Sequence, residues 1–232
     1  MSTGSANPNV SNQTSSVVRP IFAGDYAAAD EGSFFTSYQG LVASTAVATT
    51  TQVLAQANPT VAIQNSAPAG SGINLYLRYI KLYMSAVTTG ATSAQAVGTL
   101  DPMANKLTTI TSPIVGPNNV NSSSATASRA LVYGGVLVAA ATSSAGKIVH
   151  TNVVTNSIPI ILDSWVLSYG EPVSGNNMIG TMTLVKEITV ACPPVIIAPQ
   201  WWYTLGFWGA SWAAAAPTYS IEVGWIERPS GQ

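Results

Sequence analysis

The chain holds one histidine, His150, and one cysteine, Cys192. His150 sits in the run KIVHTNVV. Ser–His–Asp catalysis needs that imidazole beside a serine and an acid, and no nucleophile-elbow motif marks such a serine. A lone His with a lone Cys also falls short of the usual zinc ligand set. One cysteine excludes an internal disulfide. Both residues read as structural, His150 as a strand residue with ordinary hydrogen bonds and Cys192 as a small side chain packed at a strand end.

Paired carboxylates are the chemistry of a glycosidase. The candidates are Asp163, Glu171, Glu187, Glu222 and Glu227. Asp163 and Glu222 lie inside apolar runs, where the simplest partners are Arg78 and Arg228 in structural ion pairs. Asp25, Asp30 and Glu31 cluster near Gly24 and Gly32. A hard cation such as Ca²⁺ takes clustered carboxylates, but this spacing matches no EF-hand loop. A solvated loop with one short helical turn is the expectation there. No glycine-rich phosphate loop occurs. The reading is therefore a chain with no catalytic residues, no cofactor and no metal.

The aromatic residues are more informative. Trp201, Trp202, Trp208 and Trp212, four of the six tryptophans, fall close together, and Trp225 follows. With Tyr203 they form a candidate interface or ligand platform. Aromatic ring faces match the apolar faces of pyranoses, which suits glycan binding. The same residue types are enriched at subunit interfaces. Heavy side chains on both faces of this segment favour core and interface over an exposed platform.

The element that must position them is Val195–Arg228. Trp201, Tyr203, Leu205 and Phe207 alternate with Trp202, Thr204, Gly206 and Trp208, and Tyr219, Ile221, Val223 and Trp225 alternate with polar residues. Period-2 alternation of this kind predicts two strands. Gly209–Pro217 joins them, so the expectation is a long hairpin. Large aromatics on both faces predict that both are covered, by a second sheet or a neighbouring subunit.

The remaining chain has the same style. Strands are predicted in 41–56, at Thr60–Gln64, Ile73–Val87, Ala130–Ala140, Lys147–Val154, Pro159–Ser168 and Ile179–Val190, separated by Gly, Pro, Asn and Ser clusters. No convincing amphipathic helix, βαβ alternation or repeat is present. Thr88–Ser128 is polar, small and without strong periodicity, and is predicted to be a loop excursion. Residues 1–16 are a polar tail without Lys or Arg, read as a flexible arm, with an apolar anchor at Val17–Phe22. The expected organisation is an arm over 1–22 and one antiparallel β-sandwich domain over 23–232, with the excursion at about 88–128.

Only 7% of residues are charged, with a net charge of −1, against roughly 25% charged in a typical soluble domain. Uncharged polar surface suits burial in an assembly, because amides and hydroxyls desolvate more cheaply than charges. Eight Lys and Arg spread along the chain make no basic patch, which argues against direct nucleic-acid binding. No secretion signal is visible, and the longest apolar run, Leu131–Ala141, is too short for a membrane-spanning helix.

The segments PPVIIAP, WWYTLGFWG and APTYSIEVGWIER resemble the closing hairpin of jelly-roll virion proteins, especially those of bacteriophages. The low charge, the Ser/Thr/Ala/Asn richness, the polar arm and the excursion are similar too. The resemblance is strongest over 190–228. It implies a jelly-roll capsid or capsid-decorating (cement) subunit that self-associates, often as trimers, contacts other virion proteins, and is assembled in a host cytoplasm. The absence of a basic arm departs from shells that bind their genome directly. The alternative is a phage fibre or receptor-binding domain that recognises cell-surface glycan through the Trp cluster.

Overall fold

The computed structural model describes residues 24–43, 57–84, 93–102, 104–110, 115–135, 137–140, 142–155, 164–170, 188–208 and 218–230. These residues form one short helix, α1 (Gly24–Asp30), and fourteen strands. The strands are β1 (Phe34–Ala43), β2 (Val61–Asn65), β3 (Ile73–Met84), β4 (Ser93–Asp101), β5 (Leu107–Ile110), β6 (Val115–Asn119) and β7 (Ala130–Gly134). They continue with β8 (Leu137–Ala139), β9 (Lys147–Thr155), β10 (Ser164–Tyr169), β11 (Ile188–Cys192), β12 (Val195–Ile197), β13 (Trp202–Trp208) and β14 (Thr218–Pro229). The predicted arm, residues 1–22, lies outside the described residues.

Two sheets pack face to face, as the turn-separated strand pattern predicted. Sheet A runs β11-β10-β3-β14-β1-β6, with β12 also on β3, and sheet B runs β7-β2-β13-β4-β9. Pairing is antiparallel except between β10 and β11. Eight strands carry the architecture: β1, β2, β3, β4, β9, β10, β13 and β14. In that order the first pairs with the last, β1 with β14, and the second with the seventh, β2 with β13. The third pairs with the sixth, β3 with β10, and the fourth with the fifth, β4 with β9. Successive pairs alternate between sheets, and β3–β14 and β4–β13 join them laterally.

The inner faces supply the core. Leu75, Leu77, Ile80 and Leu82 of β3 and Ile221, Val223 and Trp225 of β14 meet Val61 and Ile63 of β2 and Tyr203, Leu205 and Phe207 of β13. Alternation along β3 breaks once. Leu77 and Ile80 are both buried, and the register opposite shifts between Gly224 and Trp225. The bulge leaves two residues, Arg78 and Tyr79, between inward ones. Phe35 stacks on Trp225 with ring centroids 6.2 Å apart.

A third layer covers the outer face of sheet B. The β5–β8 ribbon brings Leu137 and Leu107 onto Ala62 and Trp202, and Trp202 stacks on Tyr133 at 5.8 Å.

Two expectations are corrected. β13 and β14 do not form a hairpin: β13 lies in sheet B between β2 and β4, and β14 in sheet A between β3 and β1. Tyr203 and Phe207 on one face of β13 are buried against sheet A, and Trp202 on the other is buried under the β5–β8 layer, so for these residues the burial inference holds while the pairing does not. The stretch 88–128 is not a plain loop excursion, because it contains β4, β5 and β6, and β4 is a central strand of sheet B. Its strand signal was hidden by small residues. Gly98 faces bulky neighbours, and a Cβ there would lie 2.2 Å from the His150 ring and 2.6 Å from the Tyr203 hydroxyl.

Candidate functional site

The predicted tryptophan platform is dispersed. Trp225 and Tyr203 are fully buried in the inter-sheet core, and Trp202 is buried beneath the third layer. Trp201 is half-buried, with the Lys147 ammonium 5.9 Å from its ring centroid. The Trp208 side chain and all of Trp212 lie outside the described residues. No shared face brings Trp201, Trp202, Tyr203 and Trp225 together, because alternation sends Trp202 and Tyr203 to opposite sides of β13.

The acidic residues near the start are held by arginines. Asp25, in the first turn of α1, takes a two-pronged contact from Arg78, with Nε–Oδ1 at 2.8 Å and Nη2–Oδ2 at 3.1 Å. Glu31 accepts from Arg228 at 2.7 Å. These carboxylates diverge toward separate guanidinium groups, and no group of three metal-ligating side chains occurs among the described residues. Arg78 and Arg228 are therefore not the partners of Glu222 that the sequence suggested. Asp163, Glu171 and Glu187 lie outside the described residues.

Glu222 belongs to the outer face of sheet A. It accepts from the Tyr79 hydroxyl at 2.7 Å and the Lys81 ammonium at 3.2 Å, and Lys81 lies 4.6 Å from the centre of the Tyr79 ring. Burial, and then the Glu222 bond, push the Tyr79 phenol well above its ordinary pKa. Gly224 makes room for that ring: a Cβ there would sit 2.4 Å from it. Around this trio the sheet presents Tyr38, 51% exposed and bonded to Ser220, and Tyr83, 37% exposed. Tyr79, Lys81 and Tyr83 occur at every second position between Ile80 and Leu82. That alternation with Ile80 and Leu82 is a sequence signal of a tyrosine-rich outer face.

Glu227 does a different task. It accepts from the Trp225 indole at 3.1 Å, from the Arg129 backbone N–H at 2.9 Å, and from the Ser128 hydroxyl. One carboxylate thus pins the entry to β7 onto β14.

A second carboxylate is wholly internal. The Asp101 and Lys106 side chains are 1% and 0% exposed and 2.9 Å apart. Asp101 also accepts from the Ser143 N–H at 2.8 Å and its hydroxyl at 2.7 Å. Burial alone would raise the Asp101 pKa; the Ser143 and Lys106 hydrogen bonds outweigh it and hold the carboxyl below its ordinary value.

His150 projects from β9 into the inter-sheet space. Its ring packs edge-on to Tyr169 at 5.6 Å and stacks against Tyr203 at 6.3 Å, and those two hydroxyls share a 2.5 Å hydrogen bond. Cys192 bonds to Tyr169, and burial pushes its thiol up to about 12. His150 has no serine or carboxylate partner among the described residues, and neither ring nitrogen makes a hydrogen bond. It is a paired strand residue as expected, opposite Gly98 of β4, but the ordinary side-chain hydrogen bonds expected of it are not found among the described residues.

Comparison with protein-family models, with curated proteins and with solved structures returned no match.

Proposed function

We propose that the chain is a non-enzymatic virion structural protein, a capsid or capsid-decorating subunit built on a jelly-roll sandwich. The observation that carries this reading is the nested pairing of the eight principal strands, first with last and inward to fourth with fifth, alternating between sheets. A hairpin ribbon rolled into two sheets produces that order, and double-sheet jelly rolls are an architecture of viral capsid domains. Composition supports the same reading: a 7% charged chain of −1 net charge suits a subunit packed among copies of itself. The self-association surface moves from the tryptophans to the outer face of sheet A, where Tyr38 and Tyr83 are exposed around the internally neutralised Glu222–Lys81 pair. Tyrosine contributes large contact area at such interfaces with little desolvation of charge.

The glycan-binding alternative is weakened because its platform residues Trp202, Tyr203 and Trp225 are core. No helix among the described residues is long and apolar enough to cross a membrane.

Light scattering of the purified chain across a concentration series tests the proposal. Trimers or larger closed particles that persist on dilution are the expected result. A monomer at every concentration overturns it.

A further inference from the structure

We propose that His150 is an acid-sensitive wedge, whose protonation opens the side of the sandwich where β9 faces β10 and β11. The ring is 8% exposed, and neither Nδ1 nor Nε2 has a partner among the described residues. It lies at the border of both sheets, since β9 ends sheet B while β10 and β11 end sheet A.

Among the described residues, the groups packed against the ring are neutral. β10 presents Tyr169, β13 presents Tyr203, and β11 places Cys192 behind Tyr169. β4 presents Gly98, whose missing side chain leaves room for the imidazole and the Tyr203 hydroxyl. Burial raises both phenols and the thiol, so none is an anion in acid. Asp101 on β4 is engaged instead by Lys106 and Ser143. A neutral imidazole packs here as an aromatic ring, whereas an imidazolium would be a buried charge with no counter-charge among the described residues. Proton binding therefore favours any state in which the ring reaches water.

The pH window follows from linkage. Burial holds the His150 pKa down to about 4, from 6.5 when free. As pH falls from 6.5 to 4, the open state binds more protons than the closed one. The ratio of open to closed then rises by up to about tenfold per pH unit, or about 300-fold across the window. Below pH 4 both states are protonated and His150 adds nothing more. The contribution of Asp101, whose pKa is lowered, is lost only below the ordinary carboxylate value, so the two effects separate.

The single cysteine reports opening and the single histidine reports protonation. The experiment measures labelling of Cys192 by dithiodipyridine in the full chain from pH 7 to 4, normalised to free cysteine. The expected wild-type rate rises up to about tenfold per pH unit below pH 6.5, and His150→Gln flattens that rise. An NMR titration of the imidazole decides the matter even if the variant fails to fold. A titration near 6.5 in the folded protein, a flat wild-type profile, or an unchanged rise in folded His150→Gln would each overturn the proposal.

Discussion

The outer face of sheet B is closed by the chain itself, whereas the central outer face of sheet A stays open. On sheet B the cross-strand neighbours Ala62, Thr204 and Thr99 are at most 3% exposed, and the two threonine hydroxyls bond to each other. At its end Asp101, Lys106 and Ser143 satisfy one another under the β5–β8 layer. On sheet A the corresponding surface is Tyr38, Tyr83, Lys81 and Glu222, all in contact with solvent. Small side chains let a ribbon approach a sheet closely, and its polar groups must then find partners within the protein. Broad amphipathic rings suit a face that is wet in the free chain and dry in an assembly.

The sharpest way to break this contrast is Lys106→Met. It removes the ammonium partner from the buried Asp101 carboxylate while the Ser143 hydrogen bonds remain, and such a loss costs about 3–5 kcal/mol. Denaturant unfolding measures it, and a loss below about 1 kcal/mol would mean water reaches that pair and the layer is not closed.

A milder probe of the same layer is Leu137→Ala. Leu137 is fully buried and packs on Ala62 and Trp202. Truncation should cost about 2–5 kcal/mol, read as a shift in the thermal midpoint. A near-neutral result would show that the third layer contributes little.

The smallest stability effect belongs to the open face. Tyr38→Ser with Tyr83→Ser should change monomer stability by under about 1 kcal/mol, since each exposed site is worth roughly ±0.5 kcal/mol. Sedimentation should nonetheless show weaker self-association, by about tenfold or more for hot-spot residues. A large stability loss with association unchanged would reverse the roles assigned to the two faces.

Particular elements show what was legible beforehand. The strands β3, β13 and β14 fall where alternation placed them, because alternation records the two faces of a strand, and β2, β7 and β9 fall in apolar runs marked off by turn signals. β4 escaped notice because its inner position at Gly98 is vacated for His150 and Tyr203, so the strand lacks the bulky residues that announce one. The acids Glu222 and Glu227 were visible as candidates, but Lys81 became the partner of Glu222 only through the β3–β14 register, and Ser128 that of Glu227 only through tertiary contact.

The sequence by itself determined an all-β chain, its low charge, and the need to bury both faces of the Trp201–Trp208 segment. These are local properties, set by side-chain type and a period of two. The tertiary structure decided which strand pairs with which. β13 and β14 are successive in sequence yet lie in different sheets, while β1 pairs with β14 from the far end of the described chain. Backbone hydrogen bonds are alike in every strand, so partner choice rests on how distant faces fit. That complementarity also turned Trp202 and Trp225 inward and left Tyr38 and Tyr83 outside.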